Sequence, residues 1–233
     1  MSIYYKDDFV ELHLGDCLEV REWLAADVLV TDPPYGRGWR QGQVISGGKA
    51  RPQAQNVVSK VGIANDDSTT MRDAALEAWG TERMAILFGD LMLAPPAGTK
   101  LVAIYAKPAD SGLHGAINGV RRDAEAIYLM NRIVSGIGGR SSIFRTRAPL
   151  VGSPNGIVTK SGGHPHAKAL DTLEELISLT TGIIADPFAG SGSTLVAAKA
   201  LGRQAIGVEL EERYCEMAAR RLTQGVLDFG GAA

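Results

Sequence analysis

Along the chain, short runs of β-branched and other apolar residues alternate with segments whose apolar positions recur every three to four residues. The first pattern predicts strands over 9–14, 28–31, 100–105, 126–130, 183–185 and 204–208, and the second predicts helices over 71–88, 170–180, 193–200 and 211–222. In the last helix Tyr214, Cys215, Met217, Ala218 and Leu222 fall at helical spacing and define one buried face. Strands separated by helices argue for an α/β fold built on a mostly parallel sheet. Two stretches resist the scheme, 36–64 and 133–163, both rich in Gly, Ser, Gln and Pro; the second contains Gly136-Ile137-Gly138-Gly139 and Ser153-Pro154-Asn155-Gly156. Long irregular loops inside a compact domain are usually functional.

Composition bounds this picture. With 233 residues, 45% apolar and 21% charged, the chain suits one α/β domain with at most a small insertion, and disorder is expected only in the tail 228–233. Met1 to Asp8 lack the basic and apolar blocks of a secretory signal, and no apolar run reaches membrane-spanning length, so a cytoplasmic location is expected. Cys17 and Cys215 stand far apart, without CxxC or CxxH spacing, and read as free thiols rather than a disulfide or a zinc site.

A formal net charge of −2 argues against a nucleic-acid partner, but the charges are unevenly placed. Between Pro33 and Asn65 the charged residues are Arg37, Arg40, Lys49, Arg51 and Lys60; between Ala126 and Leu170 they are Arg132, Arg140, Arg145, Arg147, Lys160 and Lys168. These acid-free windows nearly coincide with the irregular stretches and concentrate positive potential where phosphates would be met, although solvated loops that merely lack acids would look the same.

The stretch Ile183 to Thr194 reads as a strand turning through glycines into a helix, a place where a ligand can approach the backbone and find free amide donors. Glu209 ends the next predicted strand, where a carboxylate can take ribose hydroxyls. Together these describe a site for an adenosine-bearing cofactor, although a Gly-x-Gly turn by itself also serves simply to pack a helix start. Gly190-Ser191-Gly192-Ser193-Thr194 lacks the third glycine of a dinucleotide fingerprint. Asp186 precedes the turn and suits a cationic amino group, hence a methionine moiety better than a pyrophosphate.

Asp186-Pro187-Phe188-Ala189-Gly190-Ser191-Gly192-Ser193-Thr194 resembles the S-adenosylmethionine-binding motif of the amino-methylating DNA methyltransferases, the adenine-N6 and cytosine-N4 enzymes. Asp32-Pro33-Pro34-Tyr35 resembles their catalytic motif, and Leu14-Gly15-Asp16-Cys17 resembles the segment that binds the cofactor adenine. His164-Pro165-His166-Ala167-Lys168 is similar to their His-Pro-Thr-Gln-Lys-Pro motif but departs from it at His166, Ala167 and Ala169. For His164, His166 and Lys168 a structural or solvent-facing role therefore stands beside ligand contact. The catalytic motif precedes the cofactor motif, as in the permuted β-type order of the family.

The resemblance covers most of the chain and implies a circularly permuted, seven-stranded-type methyltransferase sheet. Residues 1–132 would form the catalytic half with its basic loop 36–64, residues 133–163 a short target-recognition segment, and residues 164–227 the cofactor half. It implies S-adenosylmethionine as cofactor, held by Asp16, Cys17, Asp32, Asp186, Phe188, Ala189, Gly190, Ser191, Gly192, Ser193, Thr194 and Glu209. Asp32, Pro33, Pro34 and Tyr35 would be catalytic. An exocyclic base amine is a poor nucleophile because its lone pair is delocalised. An Asp32 carboxylate and a Pro33 carbonyl that each accept one amine hydrogen would free that lone pair, the two prolines fixing the carbonyl. Tyr35 would stack on a base flipped out of the duplex. A Pro-Pro turn capped by an aspartate needs no such chemistry, so the motif gains its meaning from the cofactor residues beside it.

Asp at the first position of the motif favours adenine, since the cytosine-N4 enzymes more often carry Ser there. The partner the resemblance implies is double-stranded DNA, which Arg37, Trp39 and Arg40 would meet near the pocket and Arg140, Arg145 and Arg147 in the recognition segment, with packing an equal reading for Trp39. So short a reader implies a short target, relaxed specificity, or a homodimer in which the second subunit completes the grip. The resemblance also implies a restriction–modification setting, although no endonuclease motif is evident in the chain. Two other functions compete: an RNA or protein-amide methyltransferase, whose members more often show Asn before Pro-Pro-Tyr, and an inactive fold relative that only binds. The intact Asp32, Tyr35, Asp186 and Glu209 argue against the last.

Overall fold

A computed structural model of the chain describes residues 2–37, 64–108, 118–132, 139–148, 157 and 167–224. These residues form one 9-stranded sheet. Its strands are β1 (Ser2–Lys6), β2 (Val10–Leu14), β3 (Val28–Thr31), β4 (Ala85–Gly89), β5 (Thr99–Ala106), β6 (Ala124–Met130), β7 (Ile143–Arg145), β8 (Ile184–Asp186) and β9 (Ala205–Glu209). Helices α1 (Thr70–Trp79), α2 (Leu170–Ser178), α3 (Ser193–Ala200) and α4 (Glu212–Gln224) flank it.

The spatial order is β1-β2-β9-β8-β3-β4-β6-β5-β7. From β2 to β4 the neighbouring strands are parallel, β1 pairs antiparallel at one edge, and β6 enters antiparallel between β4 and β5, which in turn pairs in parallel with β7. One rim of the sheet therefore collects the carboxyl ends of β2, β9, β8, β3, β4, β5 and β7 with the amino end of β6. In sheets of this kind ligands bind at that rim.

Strand residues alternate between two buried layers. Val28, Val30, Ile86, Phe88, Ile127 and Leu129 pack with α2, α3 and α4 on one face. Leu29, Ala85, Leu87, Ala126, Tyr128 and Met130 pack on the other with α1 and the 3-10 turn Glu22–Ala25. There Trp23 stacks on Trp79 with ring centroids 5.8 Å apart, and the Arg83 guanidinium lies 3.6 Å from the Trp79 centroid. Each fully buried Leu or Ile contributes about 1.5–3 kcal/mol, so both faces are needed to hold the rim in place.

The predicted mostly parallel α/β sheet is present, with four local corrections. The helix expected over 71–88 ends at Trp79: Gly80 takes φ 82 and donates to the Leu76 carbonyl at 3.0 Å, and the following apolar run becomes β4, buried on both faces. The edge strand β1 was not anticipated. Within the stretch read as irregular over 133–163, residues 143–145 form β7. Strands β8 and β9 each sit one residue later than expected, which makes Asp186 and Glu209 their last residues. Among the described residues no helix is long and apolar enough to cross a membrane.

Candidate active site

The two sequence motifs meet because β3 and β8 are parallel neighbours, with Val28 opposite Ile184 and Leu29 opposite Ala185. The chain leaves both strands side by side, and the Thr31 hydroxyl donates to Asp186 Oδ1 at 2.6 Å. The Phe188 amide donates to the same oxygen at 3.2 Å. Asp186 is 2% exposed and, among the described residues, pairs with no cation. Burial pushes its carboxyl up to about 7, opposed by bonds from the Thr31 and Thr194 hydroxyls.

The two glycines of the turn do different things. A Cβ built on Gly190 (φ 52) would meet nothing within 4 Å, so this glycine leaves open space over the turn. A Cβ on Gly192 (φ 78) would lie 2.7 Å from the Ala218 Cβ, so this glycine lets α3 pack against α4. Ala189 is buried and its amide donates to the Val208 carbonyl at 2.9 Å. Ser191 and Ser193, expected to face the cofactor, turn their hydroxyls to Arg221 on α4. That guanidinium also donates to the Ser191 carbonyl at 2.5 Å, and burial lowers it to about 10. Arg221 was not singled out in the sequence, where it looks like one more polar position of an amphipathic helix.

Glu209 is buried at the end of β9; its Oε2 accepts the Gly190 amide and its Oε1 the Glu211 amide, both at 2.8 Å, and burial raises its carboxyl above the usual range. Leu14 pairs with Glu209 across β2 and β9, which brings Asp16 to the same rim. Asp16 Oδ1 accepts the Leu18 amide at 2.8 Å. The Cys17 carbonyl accepts the Trp23 indole N–H at 2.9 Å, and burial pushes the Cys17 thiol up to about 12, so it is no nucleophile. Phe188 is half-buried against the second core layer.

On the other side of β3 the charges are paired. Asp32 Oδ1 accepts the Tyr35 hydroxyl at 2.7 Å and Oδ2 accepts Lys168 Nζ at 2.6 Å. Lys168 Nζ lies 3.3 Å from Glu125 Oε2, and Lys107 Nζ is 2.5 Å from Glu125 Oε1. The Tyr35 hydroxyl is also 3.3 Å from Glu125 Oε2. Burial opposes ionisation of Glu125, but the two ammonium groups outweigh it and bring the carboxyl down to about 2. Burial raises the Asp32 carboxyl, with Lys168 acting against it, while burial and the neighbouring carboxylates keep the Tyr35 hydroxyl protonated. The Lys168 ammonium lies 5.5 Å from the Tyr35 ring centroid and 5.1 Å from that of Phe88, and the carboxylates hold it charged despite burial. Pro33 is buried and Pro34 half-buried.

Of the two readings left open for Lys168, the structure selects the buried contact with Asp32. Lys107 and Glu125 were missed, since each is a lone charge at a strand end without a motif. Arg37 forms an ion pair with Asp90 at the end of β4. Trp39, Arg40, His164 and His166 lie outside the described residues. Arg145 is exposed at the rim end of β7, and nearby the Arg147 amide donates to Asp171 Oδ2 at 2.9 Å. Arg140 lies before β7, at the other end of that strand from Arg145, and donates to Ser178 Oγ at 3.3 Å.

Residues 97–220, which carry Lys107, Glu125, Lys168, Asp186 and Glu209, match the DNA methylase family of N6 and N4 methyltransferases. The chain belongs to this family of DNA amino-methyltransferases. The methylase is 30% identical over 227 residues to YubD of Escherichia coli (strain K12), which is described as a methylase; the match covers 89% of this chain and 88% of the relative. It is also 44% identical over 68 residues to the Type II methyltransferase M2.LlaDCHI of Lactococcus lactis subsp. cremoris, 28% of this chain and 25% of that one. Among solved structures, the M1.HpyAVI–SAM complex has a TM-score of 0.60 at 19% identity, covering 91% of the methylase and 98% of that chain. The cytosine-N4-specific PvuII DNA methyltransferase has a TM-score of 0.63 at 13% identity, covering 99% and 90%. At these identities the likeness is one of fold, and it extends over nearly the whole methylase.

Proposed function

We propose that the methylase transfers a methyl group from S-adenosylmethionine to N6 of an adenine flipped out of double-stranded DNA. The observation that carries this reading is the 2.6 Å hydrogen bond from Thr31 to Asp186, which joins the strand leading to Asp32 to the strand ending at the glycine turn. An amine acceptor and a cationic donor need that adjacency.

The residues present fit the cofactor. Asp186 is a buried carboxyl without a cation among the described residues, and the space over Gly190 is open. Asp186 would hold the amino group, the backbone around Gly190 would border the methionine portion, and Glu209 would accept ribose hydroxyls with the lone pairs its two amide bonds leave free. Asp16 and the Cys17 backbone would hold the adenine. When bound, S-adenosylmethionine supplies a methyl group on an electrophilic sulfonium. Asp32 and the Pro33 carbonyl would accept hydrogen bonds from the base amine and free its lone pair to take the methyl, the sulfonium leaving as a neutral thioether and the surplus amine proton passing to water, while Tyr35 offers its ring to the base.

Adenine is preferred because Asp rather than Ser opens the motif. Nucleoside mass spectrometry of DNA treated with the methylase and labelled S-adenosylmethionine is expected to show N6-methyladenine and none after Asp32→Ala. N4-methylcytosine alone would overturn the adenine assignment, and label in RNA or protein instead would overturn the DNA assignment.

A further inference from the structure

We propose that Lys168 is a positioning residue that keeps Asp32 in its ionised, amine-accepting form, with Glu125 and Lys107 setting how much of its charge Asp32 receives. The proposal rests on the reading of Asp32 as the acceptor of the base amine. Lys168 reaches Asp32 from 136 residues away, its side chain is 9% exposed, and its ammonium is closed in by the rings of Tyr35 and Phe88. A cation so enclosed is a poor phosphate contact; its nearest charged groups are Asp32 at 2.6 Å and Glu125 at 3.3 Å.

Among the described residues, the titratable groups facing Asp32 are Tyr35 from its own segment, Lys168 from the approach to α2, Glu125 from β6 and Asp186 from β8. Lys107 and Tyr105 stand behind Glu125 and Lys168. Charges therefore alternate along Lys107, Glu125, Lys168 and Asp32. A buried carboxylate needs a partner to stay ionised, and Lys168 is the cation placed to do this. Asp32 accepts one bond from Tyr35 and one from Lys168, which leaves carboxylate lone pairs for the amine, while Glu125 shares the same ammonium. Lys168, held charged by two carboxylates, is not itself a base.

This arrangement makes a prediction of opposite signs. Removing the ammonium (Lys168→Met) takes away what favours the Asp32 anion, whereas removing the Glu125 charge (Glu125→Gln) takes away a repelling anion and leaves the ammonium to Asp32 alone. The test is a 13C-carboxyl NMR titration of Asp32 in the full chain without cofactor or DNA, assigned with Asp32→Asn, together with kcat against pH on DNA. Lys168→Met is expected to raise the Asp32 midpoint by about one unit or more, Glu125→Gln to lower it, and Lys168→Arg to leave it close to the parent value. The acid limb of kcat is expected to follow each midpoint. A midpoint that is unmoved, or that moves the same way in Lys168→Met and Glu125→Gln, overturns the proposal, as does an acid limb indifferent to shifts the NMR detects. If Lys168→Met does not fold, Glu125→Gln against the parent and Lys168→Arg still decides the sign. Absence of methyl transfer by the parent protein on any DNA would instead overturn the proposed function, while the titrations would still decide the role of Lys168.

Discussion

The two sides of the rim hold comparable numbers of buried or half-buried carboxylates but treat them in opposite ways. On β2, β9 and β8 the carboxyl groups of Asp16, Glu209 and Asp186 accept backbone amides and hydroxyls and, among the described residues, no cation. On β3, β4 and β6 every counterpart is matched: Asp32 with Lys168, Asp90 with Arg37, Glu125 with both Lys107 and Lys168. A buried carboxylate without a counter-ion carries a desolvation cost that a cationic ligand relieves, so the first side is prepared for a positive guest. The second side is already neutral, and what it offers an incoming amine is geometry. The same rim thus binds by charge deficit on one side and by fixed acceptors on the other.

Asp32→Ala should show the comparison at its sharpest. Transfer is expected to fall by about 10²–10³-fold or more in initial-rate assays, while cofactor affinity by calorimetry falls far less, because the amine acceptor is lost and Asp186 and Glu209 remain; an equal loss of affinity would show that Asp32 also holds the cofactor. Asp186→Asn removes the clearest unpaired carboxyl and is expected to weaken cofactor binding by about tenfold or more, roughly the value of one charged hydrogen bond. It should also abolish a pH dependence. The Asp186 carboxyl sits at about 7, above its ordinary value, so the stability of its protonated form is full at low pH and is lost as pH rises through about 7. A cationic ligand meets the ionised form, so parental affinity is expected to weaken by up to about tenfold per unit below that pH, and Asp186→Asn to be flat.

The glycines separate binding from packing on the unpaired side. Gly192→Ala drives a methyl into Ala218 from a left-handed backbone position and is expected to cost about 1–3 kcal/mol in thermal unfolding. Gly190→Ala meets no neighbour and should cost only about 1 kcal/mol of stability, with its main effect on the cofactor Kd. Arg37→Ala, on the paired side, has the smallest expected effect, at most about 1 kcal/mol for a partly exposed ion pair. If Arg37 also meets a phosphate, the slope of log affinity for DNA against log salt falls by about one; an unchanged slope assigns Arg37 to Asp90 alone.

Much of the unpaired side was legible in the chain. Asp186, the glycine turn and Glu209 occur as strand end, turn and next strand end, and local patterning is enough to read them. The paired side was legible only at Asp32 to Tyr35. Lys107 and Glu125 acquire meaning when β5 and β6 pair, with Tyr105 opposite Glu125, and such antiparallel pairing leaves no local trace. The overrun of α1 has a different cause: Ala85 to Phe88 is a continuous apolar run whose period is ambiguous, and Gly80 was the stop signal that should have outweighed it. The charge count in the basic windows could not show that Arg37 pairs with Asp90 or that Arg140 reaches Ser178, since both partners lie far along the chain.

The insertion of β8 and β9 between β2 and β3 also governs how the protein is made. A ribosome releases β1 to β7 before their sheet can be completed, because the two strands that join β2 to β3 are made after them. Until then β2 and β3 each expose a raw, apolar edge, the kind of surface that pairs with other chains. A stop codon just before Ile184 would leave β2 and β3 without the strands that join them, an open sheet edge with no Asp186, no glycine turn and no Glu209.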